Sequence, residues 1–461
     1  MFGLKINSPF KRMYDEEGLP QNIRRSIMFM IFGNLFGNLW NTMTSGGPAL
    51  TGLAAKLGAN DFVYGILTAI PCIGTLMQIP AAILVSKTHK RKKYMLLYGT
   101  ISRFVWILIG LVPYFVPADP EWLRIWALIF FVGINSTFGS FINVCWTPWM
   151  ADLIPIGIRG RWISVRDRII SVIGLTVGIL SAYVLDIIPG YPGYAIILGF
   201  GGILGMMDML SFIWVENVPM KTNSNARFRD IFKKIFSDSE FVRFMLFWTI
   251  WCFTTNLAGS FYTRYALGDL SLTNTQVTIA GNVASAIITM LIVPFWGRKL
   301  DTYGHKPIFW INGIIGSVTP LIWLFAKPGD MTVMLIYNLI ANAFLCAVNL
   351  ASQTSLLSYA TEEERPVYIA LYSCFTSLLG SFMGTFLGGA LLQTLQDNFT
   401  FDGISLLGLP LDHYKIVFII SAVLRLIAVL VFVPKIHNNR EYSSRHLVND
   451  FFEGIRSLFS R

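Results

Sequence analysis

Asparagines recur at helical spacing in two apolar stretches of this chain. Asn34, Asn38 and Asn41 stand four and three residues apart, and Asn338, Asn342, Asn349 and Gln353 stand four, seven and four apart. At about 100° per residue the second set falls within about 60° of one helix face. A primary amide both donates and accepts, so such a stripe can bind the hydroxyl or amide groups of a neutral or zwitterionic solute. Other polar and aromatic residues sit in further apolar stretches: Asn135, Asn143 and Trp146; Trp248, Trp251, Thr255, Asn256, Tyr262 and Tyr265; Tyr368 and Tyr372. Indoles stack on the apolar faces of rings. The alternative for any one amide is a bond to a neighbouring helix, worth about 0.6 kcal/mol inside a membrane.

Two charges lie deep in apolar surroundings. Arg103 is nine residues past Tyr94 and Asp208 eight residues before Glu216. A helical rise of about 1.5 Å per residue puts them roughly 14 and 12 Å in. An isolated intramembrane charge is costly, so the two are expected to form a buried ion pair. Arg425 lies at similar depth with no acid in reach, and is left to snorkel or to bind carbonyls. Catalytic chemistry has no comparable signal. The five histidines (His89, His305, His413, His437 and His446) all fall outside the apolar segments, and the five cysteines form no CxxC pair. No metal site, cofactor or enzyme activity is expected.

The elements that must position these residues are membrane spans. Of the 461 residues 54% are hydrophobic and only 13% charged, against roughly 25% charged in soluble domains. Mean hydropathy is +0.58. This excludes a soluble enzyme, a disordered chain and a disulfide scaffold. Twelve apolar segments can be marked, near 26–50, 61–86, 94–116, 121–151, 166–188, 191–215, 241–266, 275–297, 307–326, 331–359, 366–394 and 413–434. Lipid offers the backbone no partners, and the segments are too long and uniform for barrel strands, so they are expected to be helices. With the N-terminus inside, the inner segments carry 29 Lys and Arg and the outer loops five. Both ends are therefore expected in the cytoplasm of a cell-membrane protein. The net charge of +10 belongs to that inner surface and not to nucleic-acid binding. The N-terminal segment is too polar for a cleaved signal peptide, so the first span is expected to act as the insertion signal.

The chain also repeats. Asn60, Val63, Pro80, Lys92 and Gly99 return as Asn274, Val277, Pro294, Lys306 and Gly313, each 214 residues later, and Asn143 and Arg159 as Asn349 and Arg365 after 206. The reading is an N-terminal six-helix bundle over 1–216, a cytoplasmic linker over 217–240 and a second bundle over 241–435. The tail, 436–461, is amphipathic: Leu447, Phe451, Phe452, Ile455, Leu458 and Phe459 share a face. Two such repeats place a solute site near the midplane between them.

The loop after span eight reads Gly297-Arg-Lys-Leu-Asp301-Thr-Tyr-Gly304-His305-Lys306. It resembles the cytoplasmic loop motif GxxxD[RK]xG[RHK][RK] of the major facilitator superfamily, departing only at Thr302. The first-half loop, Ser86 to Lys93, keeps the basic run without the acid or glycines. Asp152, Arg159, Arg161 and Arg166 are similar to that family's loop between spans four and five. The resemblance implies an all-α fold of two six-helix bundles related by a pseudo-two-fold axis. It also implies a cavity lined by spans one, four, seven and ten, with three and six as scaffold. Gating residues would be Gly297, Asp301, Gly304 and Lys306 with Arg161 and Arg166, and Asp152 would pair with Arg159 or Arg166.

The cavity so drawn holds almost no charge, which favours a neutral or zwitterionic solute resembling a sugar, glycoside or nucleoside. It would be moved by a monomeric secondary transporter in the bilayer, with a co-transported proton or cation left open. Drug or lipid export is the runner-up, weakened because span five has Gly174 and Gly178 without the exporters' Gly-Pro-Gly-Gly. A transporter-fold receptor is the alternative of another class.

Overall fold

The computed structural model describes residues 20–218, 236–359, 365–400, 405–406 and 408–436. Most of the expected linker and nearly all of the amphipathic tail lie outside the described residues. Twelve long helices are numbered here in chain order. The first six are α1 Gln21–Met43, α2 Asp61–Thr88, α3 Arg91–Phe115, α4 Trp122–Met150, α5 Trp162–Ile187 and α6 Tyr191–Trp214. The rest are α7 Ser239–Leu267, α8 Asn274–Tyr303, α9 His305–Phe325, α10 Thr332–Leu356, α11 Tyr368–Asn398 and α12 His413–Lys435.

Eleven of these, α2 to α12, are long and apolar enough to cross a membrane. The expected twelve apolar segments thus resolve into eleven strongly apolar helices and one amide-rich helix. Helix α1 has the length, 23 residues, but Asn34, Asn38 and Asn41 hold its hydropathy down. Large apolar side chains such as Leu291, 70% exposed, point outward, as a lipid-facing surface requires.

Local chemistry sets the helix ends. The Asp238 side chain accepts from the backbone N–H groups of Glu240 and Phe241, both at 3.1 Å, to open α7. Thr273 and Gln276 form a capping box at the start of α8, and Asp412 accepts from Lys415 N to open α12. Only Gly304 separates α8 from α9, at φ 80°, a backbone region that a side chain would strain.

The chain forms two compact units. One holds residues up to Gly58 and from Gly74 through α6; the other holds Ala59–Ile73 and α7 to α12. The first turns of α2 therefore belong with the second unit. The first unit packs around Trp149, Trp162, Phe212, Met95 and Met30. The second packs around Phe241, Phe244, Phe247, Phe309 and Val429. Within it, α11 carries a π-helical stretch, Thr376–Phe382, and a row of Gly380, Gly384 and Gly388 laid on the backbone of α7. A Cβ at Gly380 would stand 3.0 Å from Thr249 O, and those at Gly384 and Gly388 would overlap Phe253 O and Leu257 O. Small residues at this spacing are what lets two membrane helices approach so closely. A two-residue antiparallel pair, Ser405–Leu406 with Leu409–Pro410, precedes α12.

Candidate functional site

A cavity of about 290 Å³ lies inside the first unit, at the lower end of the size range of small-molecule sites. Helix α1 contributes Asn34, Gly37 and Asn38, and α4 contributes Asn143 and Trp146. The remaining polar wall is charged: Arg103 from α3, Arg166 and Asp167 from α5, and Asp208 from α6. This cavity, lined from α1, α3, α4, α5 and α6, thus carries four charged side chains. Helices α3 and α6 are not pure scaffold, because their charges face this space.

The reason is steric. Gly33 and Gly37 of α1 stand against α6, where a Cβ at Gly37 would come within 2.8 Å of Asp208 Oδ2. Without that side chain, the carboxylate sits beside α1 at the cavity wall. Arg103 Nη2 is 3.2 Å from Asp208 Oδ2, so the pair has one long contact and no bidentate fork. The guanidinium also lies 3.4 Å from the centroid of the Trp40 ring, a cation–π arrangement. Only 8% of Arg103 and 4% of Asp208 is exposed.

A second pair stands at the other wall. Arg166 Nη2 is 2.7 Å from Asp167 Oδ1, and its guanidinium lies near the rings of Trp146 and Trp162, 5.3 and 5.0 Å from their centroids. Several polar atoms of the cavity residues have no partner: Asn34 Nδ2, Asn38 Oδ1, Trp146 Nε1 and Arg103 Nε. Each such buried group is costly unless something else completes it.

Most of the other amides are already engaged. Asn135 Oδ1 accepts from Ser102 Oγ at 2.8 Å and Trp106 Nε1 at 3.0 Å, tying α4 to α3. Asn342 Nδ2 donates to Ser285 Oγ at 2.8 Å, and Ser285 donates to Asn338 Oδ1 at 3.2 Å, tying α10 to α8. Asn256 donates to Cys252 O and to Ser381 Oγ, and Tyr372 shares a hydrogen bond with Ser352. Trp251 is buried in the core of the second unit, and Tyr262 stacks on Trp323. Asn41 accepts from Ser45. Asn349 and Gln353 are exposed. The predicted amides thus divide into those on a cavity, such as Asn34 and Asn38, those that join helices, such as Asn135 and Asn342, and those that are exposed or bonded locally, such as Asn349, Gln353 and Asn41. Arg425, fully buried, donates to Thr255 O at 3.2 Å, the carbonyl-binding outcome.

At the end of the spans that carries the basic loops, Asp152 meets Arg91, and of its two expected partners Arg166 pairs with Asp167 instead: Arg91 Nη1 is 2.6 Å from Asp152 Oδ2 and Nη2 donates to Val218 O. Arg91 is 1% exposed, so its charge is compensated where it is most needed. The side chains of Arg159 and Arg161 lie outside the described residues. In the motif loop Asp301 is exposed, Lys306 Nζ donates to Pro434 O, and Gly297 has open space beside it.

A cluster that the sequence reading missed lies at the opposite end, within the second unit. Asp61 opens α2 and is 2% exposed. It pairs with Arg264, accepts from Tyr414 OH at 2.7 Å and lies 3.5 Å from His413 Nε2. Arg264 also donates to Ala59 O. The available signal was an acid and an arginine, each placed at the outer end of a span.

The Major Facilitator Superfamily sequence pattern matches residues 28–288 and 252–461. The curated protein sequences contain no significant match. Among solved structures, a variant of the nucleoside transporter NupG superposes with TM-score 0.68 at 14% identity, covering 89% of this chain and 99% of its own. A bacterial homologue of the human lysosomal transporter Spinster gives 0.65 at 16%, covering 92% and 100%. The xylose transporter XylE from E. coli gives 0.62 at 14%, covering 93% and 99%.

Proposed function

The chain belongs to the Major Facilitator Superfamily, a multi-pass membrane transporter family, and from that premise we propose that it moves a small polar solute by alternating access. The solute is neutral or zwitterionic, of the size and hydroxyl content of a sugar or nucleoside. One observation carries this reading: Asn34, Asn38 and Trp146 present unpartnered polar atoms around one cavity. A ligand that completes those bonds recovers what the empty site forgoes. The nucleoside transporter and the xylose transporter among the structural relatives agree with that class. The two acid–base pairs that line the cavity suit a solute with both polar signs, and they make ion coupling chemically available.

In this proposal the basic end of the spans faces the cytoplasm of a cell membrane, and the two six-helix bundles and their linker divide as the sequence repeat suggests. The protein works as a monomer without catalysis. Gly297, Asp301, Gly304 and Lys306, with Asp152 and Arg166, change surroundings as the state changes. The test is a thermal-shift screen of purified protein against sugars, nucleosides and amino acids. Xylose, uridine or a related solute should raise the unfolding temperature of the wild type, and Asn38→Ala should remove most of the rise. A rise that is the same in Asn38→Ala rejects the site.

A further inference from the structure

We infer that the second unit binds a small monovalent anion, a halide such as chloride, on Arg425. This residue lies twelve positions past His413 in α12, about 18 Å along the helix, and is 0% exposed. Two backbone carbonyls receive its donors: Thr255 O at 3.2 Å and Gly316 O at 3.5 Å. Both contacts are long for a charged donor. Its Nε has no partner, and among the described residues no carboxylate pairs with it. Carbonyl dipoles offer partial charges and no net one. A guanidinium does not give up its proton in proteins, so it cannot escape the cost of burial by becoming neutral. Such a cation calls for a counter-charge.

The first unit meets the same need with a side chain. There α3 and α6 bring Arg103 to Asp208. At the 214-residue offset of the repeat, Arg103 falls on Ser317 and Asp208 on Ala422. The interface of α9 and α12 thus keeps a buried arginine and supplies no acid to it.

The surroundings ask for an acceptor as well. Thr255 Oγ1, Tyr262 OH and Trp323 Nε1 are buried without partners. Tyr262, Trp323, Tyr337 and Phe418 make ring contacts with centroids 4.8 to 5.9 Å apart, and Tyr337 stands beside both Tyr262 and Arg425. Hydroxyls and an indole N–H are donors, and the edges of aromatic rings carry positive potential. An occupant that is negative, small and without donors of its own fits all of them. A water would leave the charge uncompensated. A halide answers it with one atom and tolerates irregular coordination. It would tie α7 through Thr255, α9 through Gly316, α10 through Tyr337 and α12 through Arg425, so halide supply would set the stability of the second unit.

Thermal unfolding of the full chain tests this without any solute. Protein purified and held in gluconate, a bulky anion, should unfold at a higher temperature when chloride or bromide replaces gluconate at matched ionic strength. The rise should grow with halide concentration as binding linkage requires. Arg425→Met should abolish the response. Tyr262→Phe, which removes one donor, should need about five-fold more halide for the same rise. Equal unfolding temperatures in chloride and gluconate, or a chloride response of the same size in Arg425→Met, overturn the inference. A rise with formate or acetate and none with halide also overturns it, and would give the guanidinium to a carboxylate. Should Arg425→Met not fold, Tyr262→Phe and Trp323→Phe decide, and an unchanged halide response in both rejects the site.

Discussion

Lys92 and Lys306 do the same work in the two units. Lys92 Nζ donates to Ile213 O and Val215 O at 2.8 and 2.7 Å; Lys306 Nζ donates to Pro434 O at 2.7 Å. Each ammonium closes the last carbonyls of its own unit's final helix, where a helix end is short of donors and its dipole favours a cation. The two lysines are 214 residues apart, the offset at which the sequence repeats.

The two kinds of asparagine should separate on mutation. Asn38→Ala removes a buried acceptor that has no partner, so the ligand-free protein should unfold at the same temperature or slightly higher. Solute affinity should fall by about 1 kcal/mol, roughly five-fold. Asn342→Ala breaks a bond to Ser285 and should lower unfolding temperature with a smaller effect on affinity. Thermal unfolding and titration calorimetry on both variants check this, and matching behaviour would reject the division.

The buried pair should show a clear interaction in a double-mutant cycle. Arg103→Ala leaves Asp208 without its counter-charge and should cost about 3–5 kcal/mol. Arg103→Ala with Asp208→Ala should cost less than the single change. Denaturant unfolding in micelles measures both, and strict additivity would contradict the pairing.

The glycine row of α11 should not accept a methyl group. Gly388→Ala would place a Cβ against Leu257 O, and backbone cannot yield as a side chain can. A loss of about 1–3 kcal/mol is expected, measured by thermal unfolding, while Gly297→Ala, in open space, should be close to neutral.

The Asp61 cluster should hold the N-terminal end of α2. Asp61→Ala frees Arg264 and Tyr414, so hydrogen exchange in residues 59–73 should rise relative to the rest of the chain. Tyr414→Phe, which removes only one donor, should raise it less. Unchanged exchange in Asp61→Ala would show that the apolar contacts of α2 suffice.

The spans were legible because lipid allows the backbone few solutions, and the repeat because paired residues such as Lys92 and Lys306 carry the same task. The site was legible only in part. Asn38 and Asn342 are indistinguishable as residues in apolar helices; what separates them is Ser285, which reaches one and has no counterpart at the other. Nearness along the chain gave no sign of Arg91, the partner of Asp152 that lies 61 residues away. Asp208 read as scaffold because its exposure depends on the missing side chain of Gly37. The spacing of Gly33 and Gly37 on α1, matched by Gly201 and Gly205 on α6, was the sign that the two helices touch.

The amide content of α1 bears on how the protein is made. A segment leaving the ribosome enters the bilayer according to its own hydropathy, and α1 alone among the twelve falls short. Its glycines Gly33 and Gly37 find their cover in α6, synthesised some 170 residues later. Between those two moments α1 is a poorly settled guest of the membrane. The first unit's assembly should therefore be late and cooperative, and truncation before Tyr191 should leave α1 prone to slip out or to be degraded.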